Sequence, residues 1–244
     1  MMKVNDFIKA LKKAEKSKTL YVLGCFGAPL NEKNKARYTK NNSYNRNRAE
    51  IINAATDSTF GFDCVCLIKG ILWGWNADKS KVYGGATYAC NNVPDIGADS
   101  MFTRKYVQNI SNDFTTIKPG AVVHMSGHVG VYIGSGQVIE CSPKWKNCVQ
   151  ITYLGNLPEH RKGNYRIWSE FGYLPTVDYS VEIKEKPVKV EECVTRIHKV
   201  VKGDNLTKIS KEYGTSIEAI IENNIKKYPR ITRNYIVIGW ELEV

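Results

Sequence analysis

Three residues have types and surroundings that could carry out acyl transfer: Cys64, His128 and Glu140. Cys64 lies in the run FDCVCLIKG from Phe62 to Gly70. His128 opens an alternating apolar run within GHVGVYIG, from Gly127 to Gly134, and Glu140 follows in VIEC. A thiol is a weak nucleophile at neutral pH until a base or a local field ionises it. An imidazole is such a base, and a third polar group fixes its tautomer. The three residues can fill those roles in chain order.

The flanking patterns say which elements must hold them. Asp63 precedes an apolar run, Cys64 to Trp75, in which Val65, Ile68, Leu72 and Trp75 keep helical spacing. Asp is a good N-cap, so Cys64 is expected in the first turn of a helix, where the dipole and free amides favour a thiolate. AVVHM, HVGVYIG and QVIEC read as strands, the last two joined through a Gly134-Ser135-Gly136 turn. With Ser135 and Gly136 as the turn residues, Ile133 pairs with Val138 and Glu140 falls near Val131. Upstream, Leu20 to Leu23 is a short strand entering a glycine-containing loop, and the Asn-, Lys- and Arg-rich stretch from Asn31 to Asn47 reads as loop.

The remaining candidates have plainer readings. Cys66 is expected to pack, and Cys25, Cys90, Cys141, Cys148 and Cys193 are read as structural or incidental. His124, His160 and His198 show no partner in the sequence and read as surface or core histidines. Trp73 and Trp75 read as packing. Trp145, between Lys144 and Lys146, also reads as packing, with a cleft rim as the alternative.

Composition bounds the class. A chain of 244 residues with 43% hydrophobic residues can bury a core and is long enough for two domains. No run approaches the ~20 apolar residues of a membrane span, so stable membrane insertion is not expected. The N-terminus lacks the apolar core and cleavage site of a signal peptide, which implies synthesis in the cytoplasm. There, Val4, Phe7, Ile8 and Leu11 recur at helical spacing opposite lysines. Seven cysteines, an odd number with no CxxC pair, fit free thiols; neither a disulfide framework nor a metal site is expected. The net charge of +11 suits polyanions in general, but no nucleic-acid motif accompanies it.

Composition shifts near Asp178. SVEIKEKPVKVEE alternates charged and β-branched residues around Pro187 and reads as an extended linker. The last fifty or so residues then read as strand, helix, helix, strand. Ile197 to Val201 is a strand, and Asp204 caps a helix carrying Leu206, Ile209 and Tyr213. A second helix carries Ile217, Ile220 and Ile221, and Ile236 to Val244 returns as a strand. The expected division is therefore 1–178, a linker 179–193, and 194–244.

These motifs together resemble two families. TLYVLGCFGAP (Thr19 to Pro29), FDCVCL, GHVGVYIG and VIEC resemble the NlpC-type cell-wall peptidases, a papain-like group. The resemblance implies an α+β domain with an antiparallel sheet packed on the nucleophile helix. It implies Cys64 as nucleophile, His128 as base, Glu140 as orienting residue and Tyr21 near the oxyanion, with no cofactor. The chain departs from that family's usual pattern with Val65-Cys66 after the nucleophile, Gly24-Cys25 in the first turn, and Glu as third residue.

The C-terminal segment, RIHKVVKGDNLTKISKEYGTSIEAIIENN through IVIGWELEV, resembles the LysM domain, a βααβ module for N-acetylglucosamine-containing glycans. Asn205 and Gly239-Trp240 depart from its usual residues. The implied glycan groove is formed by Gly203, Asp204, Asn205 and Leu206 with Pro229, Ile231 and Ile236. Together the two resemblances imply a peptidoglycan hydrolase, of phage endolysin or autolysin type, that acts on the wall after release. It would cut an amide in the stem peptide. The alternatives are an N-acetylmuramoyl-L-alanine amidase and a wall-binding protein without activity.

Overall fold

The chain enters through a short strand, β1 (Met2–Lys3), and then α1 (Val4–Lys16). The apolar stripe decides how this helix lies: Val4, Phe7, Ile8 and Leu11 are buried, as their spacing predicts. In this computed structural model, residues 1–161, 163–180, 197–213, 215, 217–225 and 227–244 are described. Contacts divide the chain into two compact units, Met1–Glu185 and Lys186–Val244. From residue 181 to 193 the expected linker lies outside the described residues, as does Cys193.

Strands β2 (Thr19–Tyr21) and β3 (Phe26–Pro29) follow. The stretch expected as loop instead carries α2 (Glu32–Asn41) and α3 (Ser43–Arg46), with α4 (Ala49–Ala54) after it. The asparagines that suggested loop are the helix caps: Asn31 accepts from the Asn34 amide and Asn42 from the Asn45 amide. Asn45, fully buried, also bonds both the N–H and the C=O of Leu23, which pins these helices to the loop after β2. β4 (Phe60–Phe62) then pairs between β2 and β3 and runs straight into α5 (Cys64–Leu72). This helix stops short of Trp75, because Gly74 takes a left-handed conformation that ends it.

After α6 (Ala98–Met101) come β5 (Gln108–Ser111), β6 (Val122–Met125), β7 (His128–Gly134), β8 (Gln137–Ser142) and β9 (Cys148–Leu154). They are followed by β10 (Tyr165–Arg166), β11 (Glu170–Tyr173) and β12 (Val177–Asp178), the last paired with β1. The main sheet has the order β10-β9-β8-β7-β6-β11-β5 and is antiparallel except between β9 and β10. Strand alternation gives it two faces. Val129, Val131, Ile139, Cys141 and Val149 face one core, which also contains Leu67, Ile68 and Ile71 of α5. Tyr132, Val138, Trp168 and Phe171 form the core on the other face. The expected α+β arrangement, a sheet packed on the Cys64 helix, is what forms.

The second unit is βααβ: β13 (Ile197–Lys199), α7 (Leu206–Tyr213), α8 (Ile217–Asn224) and β14 (Glu241–Glu243), the two strands antiparallel. Val200, Leu206, Ile209, Ile220, Ile231 and Leu242 fill its core. The buried Asn224 side chain bonds the N–H and C=O of Glu243, tying α8 to the last strand. That strand is shorter than the expected 236–244. Among the described residues, no helix is long and apolar enough to cross a membrane.

Candidate active site

The start of α5 is built by Asp63. Its carboxylate accepts from the Cys66 amide at 2.6 Å and from the Gly24 amide at 2.7 Å, so one side chain caps the helix and anchors the loop between β2 and β3. Burial pushes the Asp63 carboxyl up, against the lowering effect of these bonds. Cys64 follows in the first turn, as its sequence context predicts. The residue is 7% exposed, and the backbone N–H groups of Val129, Val65 and Cys64 itself favour its ionised form. Val129 directly follows His128, so the thiol lies against the strand that carries the imidazole.

The expected thiolate does not follow from that position. Burial, and after it the negative charge of Asp63, push the Cys64 thiol up to about 12. The helix-terminal amides lower it by less than desolvation raises it. Tyr21 is buried beside the same group. Burial, and then the charges of Cys64 and Asp63, raise its phenol, which keeps it a hydrogen-bond donor. Tyr44 packs edge-on to its ring, and the Arg48 guanidinium lies 5.4 Å from the ring centre.

His128 and Glu140 meet because of a one-residue register shift. Gly134 pairs with Gln137 around a Ser135-Gly136 turn in which both residues have positive φ, a hairpin geometry that glycine favours. The ladder then slips between Tyr132 and Gly134, so Tyr132 pairs with Val138 and Val131 with Ile139. Continued, this register sets Glu140 opposite Gly130, not near Val131 as the turn alone suggests. His128, two residues from Gly130, then shares the face of Glu140. His128 Nε2 and Glu140 Oε2 are hydrogen-bonded at 2.6 Å.

Glu140 is completely buried and fully bonded. Besides His128 it accepts from the Thr152 hydroxyl at 2.7 Å and from Arg166 Nε at 2.7 and 2.9 Å. Burial opposes its ionisation, but His128, Arg166 and Thr152 outweigh that and hold the carboxyl below the ordinary glutamate range. Arg166 also donates to Ser142 Oγ at 2.8 Å, and its guanidinium lies 4.8 Å from the centre of the Trp145 ring. Trp168 stacks on the His128 ring at 5.5 Å and 12°.

Arg166, Trp168 and Thr152 are absent from the sequence reading. The signal for them is weak. Arg166 and Trp168 flank an exposed Ile167, an alternation that puts both on one side of the chain. Gln150 and Thr152 are buried polar residues at alternate positions of β9, opposite the strand carrying Glu140.

Two of the other histidines have polar partners after all. His124 lies between Glu170 (3.0 Å) and Asp99 (2.9 Å) and stacks on Phe102. Asp99 also accepts from the Gly127 amide, which braces the turn leading to His128. His198 bonds Asp204 at 2.8 Å and the Tyr213 hydroxyl at 3.2 Å. His160 packs close to Gly136.

In the second unit, Asp204 is engaged with His198 and the Val201 amide, so Asn205 caps α7 by accepting from the Lys208 amide. Asp204, Asn205, Leu206 and Ile236 line a surface pocket together with Arg233 and Tyr235, which the sequence reading omitted. Gly203 turns the chain beside it with φ +96°, and Pro229 is exposed. Ile231 corrects the expectation: at 2% exposure it belongs to the core, because the unit is small and uses its few aliphatic side chains for packing.

Residues 198–244 match the LysM domain family model, so this unit is a LysM domain, a peptidoglycan-binding module. Comparison with curated proteins finds no match. Among solved structures the chain is similar to the structure of NlpC2 from Trichomonas vaginalis, with 17% identity and a TM-score of 0.35, over 69% of this chain and 46% of that one. The chain thus spans less than half the length of that protein.

Proposed function

We propose that the first unit is a cysteine-dependent amidohydrolase that cuts an amide bond in the peptidoglycan stem peptide, and that the LysM unit retains it on the glycan. The observation that supports this best is the order of contacts at the site. The Cys64 helix packs against the strand that opens with His128, and Glu140 holds the Nε2 of that imidazole.

The chemistry follows from this arrangement. An ionised Glu140 only accepts, so His128 carries its proton on Nε2 and presents Nδ1 as the base. Because burial keeps the thiol neutral at rest, His128 takes the Cys64 proton as the sulfur attacks the substrate carbonyl. The Cys64 backbone amide and the Tyr21 hydroxyl are the donors for the oxyanion. His128 then protonates the leaving amine, and a water, deprotonated by the same imidazole, attacks the thioester and releases Cys64. The cationic surface, with its net charge of +11, suits an anionic wall.

The buried thiol favours a second reading, a wall-binding protein without activity. Mass spectrometry of purified peptidoglycan after incubation separates the readings. A new free amine on the diamino acid supports stem-peptide cleavage. Whole stem peptides with a free L-alanine amine identify an amidase. Retention on the wall with no released fragment leaves the inert binder.

A further inference from the structure

The hydrogen bonds around Glu140 are divided unequally. His128 and the neutral Thr152 hydroxyl each meet one oxygen, whereas the single Nε–H of Arg166 is shared between both, and Arg166 is the permanent cation among them. A buried carboxylate without a cation tends to take up a proton. A protonated Glu140 would donate to Nε2, and the imidazole would then carry its own proton on Nδ1, the nitrogen that the hydrolase reading uses as the base. The guanidinium is itself fixed at two further points, by Ser142 Oγ and by the ring of Trp145.

We propose that Arg166 is a positioning residue for His128: by keeping Glu140 a carboxylate acceptor, it holds the imidazole in the Nε2–H tautomer and leaves Nδ1 free to act as base. Trp145, 36% exposed in the β8–β9 loop, keeps the guanidinium in place. This rests on the hydrolase reading above, but its test does not need activity.

The experiment is nitrogen-15 NMR of the full-length protein labelled on histidine, read where the imidazole is neutral. The wild-type His128 signals should be those of the Nε2–H tautomer. Arg166→Gln should shift the population toward Nδ1–H, Arg166→Lys should restore most of it, and Thr152→Val, which removes only a neutral bond, should move it far less than Arg166→Gln does. In parallel, kcat of Arg166→Gln should fall about 10²-fold with KM changed far less, the size expected when a catalytic group loses its alignment. A folded Arg166→Gln protein with the wild-type tautomer population overturns the proposal. If that variant does not fold, the Ser142→Ala/Trp145→Ala double variant, which frees the guanidinium at both outer contacts, replaces it with the same two outcomes. A wild-type protein that cleaves no peptidoglycan overturns the hydrolase reading alone, because the tautomer measurement is made without substrate.

Discussion

His128 Nε2 and Glu140 Oε2 lie 2.6 Å apart across the neighbouring strands β7 and β8. The carboxylate is buried and bonded on every side, so the imidazole meets an acceptor that cannot swing away. Loss of the base should therefore cost at least as much as loss of its holder. His128→Ala and Glu140→Gln are each expected to lower kcat by on the order of 10² or more, measured as release of soluble fragments from purified wall. Glu140→Gln should also leave Arg166 without its anion and destabilise the first unit by about 3–5 kcal/mol in urea unfolding. A fully active Glu140→Gln protein would remove Glu140 from the mechanism.

The state of the Cys64 thiol gives a pH prediction. Burial and the Asp63 charge raise it to about 12 in the folded protein. Its alkylation without substrate should be slow near neutral pH and climb about tenfold per pH unit past pH 9. The same shift bears on stability. The raised folded value means that the contribution of the neutral buried thiol is complete below the unfolded value of about 8.5 and is lost as pH rises toward 12. Cys64→Ala should flatten the fall in stability across that window, and should release no wall fragments. Asp63→Asn should speed alkylation at pH 8. Alkylation that is already at its plateau by pH 7 would contradict the assignment.

Gly130 carries a steric prediction. A Cβ placed there would come within 2.7 Å of Val138 Cγ1 and 3.2 Å of the Trp168 ring, the ring that stacks on His128. Gly130→Ala should cost about 1–3 kcal/mol through overpacking and displace the indole. Activity should fall about tenfold or more, with a changed indole fluorescence in the folded variant. A variant with wild-type stability and activity would show that Trp168 does not need that space.

The LysM unit gives a prediction in which binding and folding separate. Tyr235 is 46% exposed and lines the pocket, whereas Ile231 is 2% exposed in the core. Residues 194–244 alone should sediment with insoluble peptidoglycan. Tyr235→Ala should weaken that binding about fivefold to tenfold with little change in Tm. Ile231→Ala should instead lower stability by about 2–5 kcal/mol. Equal losses of binding and of Tm for both would place Tyr235 in the fold rather than in the groove.

Local chemistry alone determined a good deal of this protein. The apolar stripe of Val4, Phe7, Ile8 and Leu11 sets α1, Asp63 before an apolar run starts α5 at Cys64, and Ser135-Gly136 turns the hairpin that carries His128 and Glu140. These are properties of neighbours in the chain, so spacing and residue type suffice. Other features depend on groups far apart in sequence. Asn45 became a buried anchor because the loop after β2 brought the backbone groups of Leu23 within its reach. A slip of one residue beyond Tyr132 decided that His128 and Glu140 share a face, and side-chain alternation makes such a slip all-or-none. Arg166 reached Glu140 only when β10 joined the sheet edge beyond β9. The charge state of Cys64 was likewise a tertiary outcome: the helix start favours a thiolate, but the packing around it removes the water that a thiolate needs.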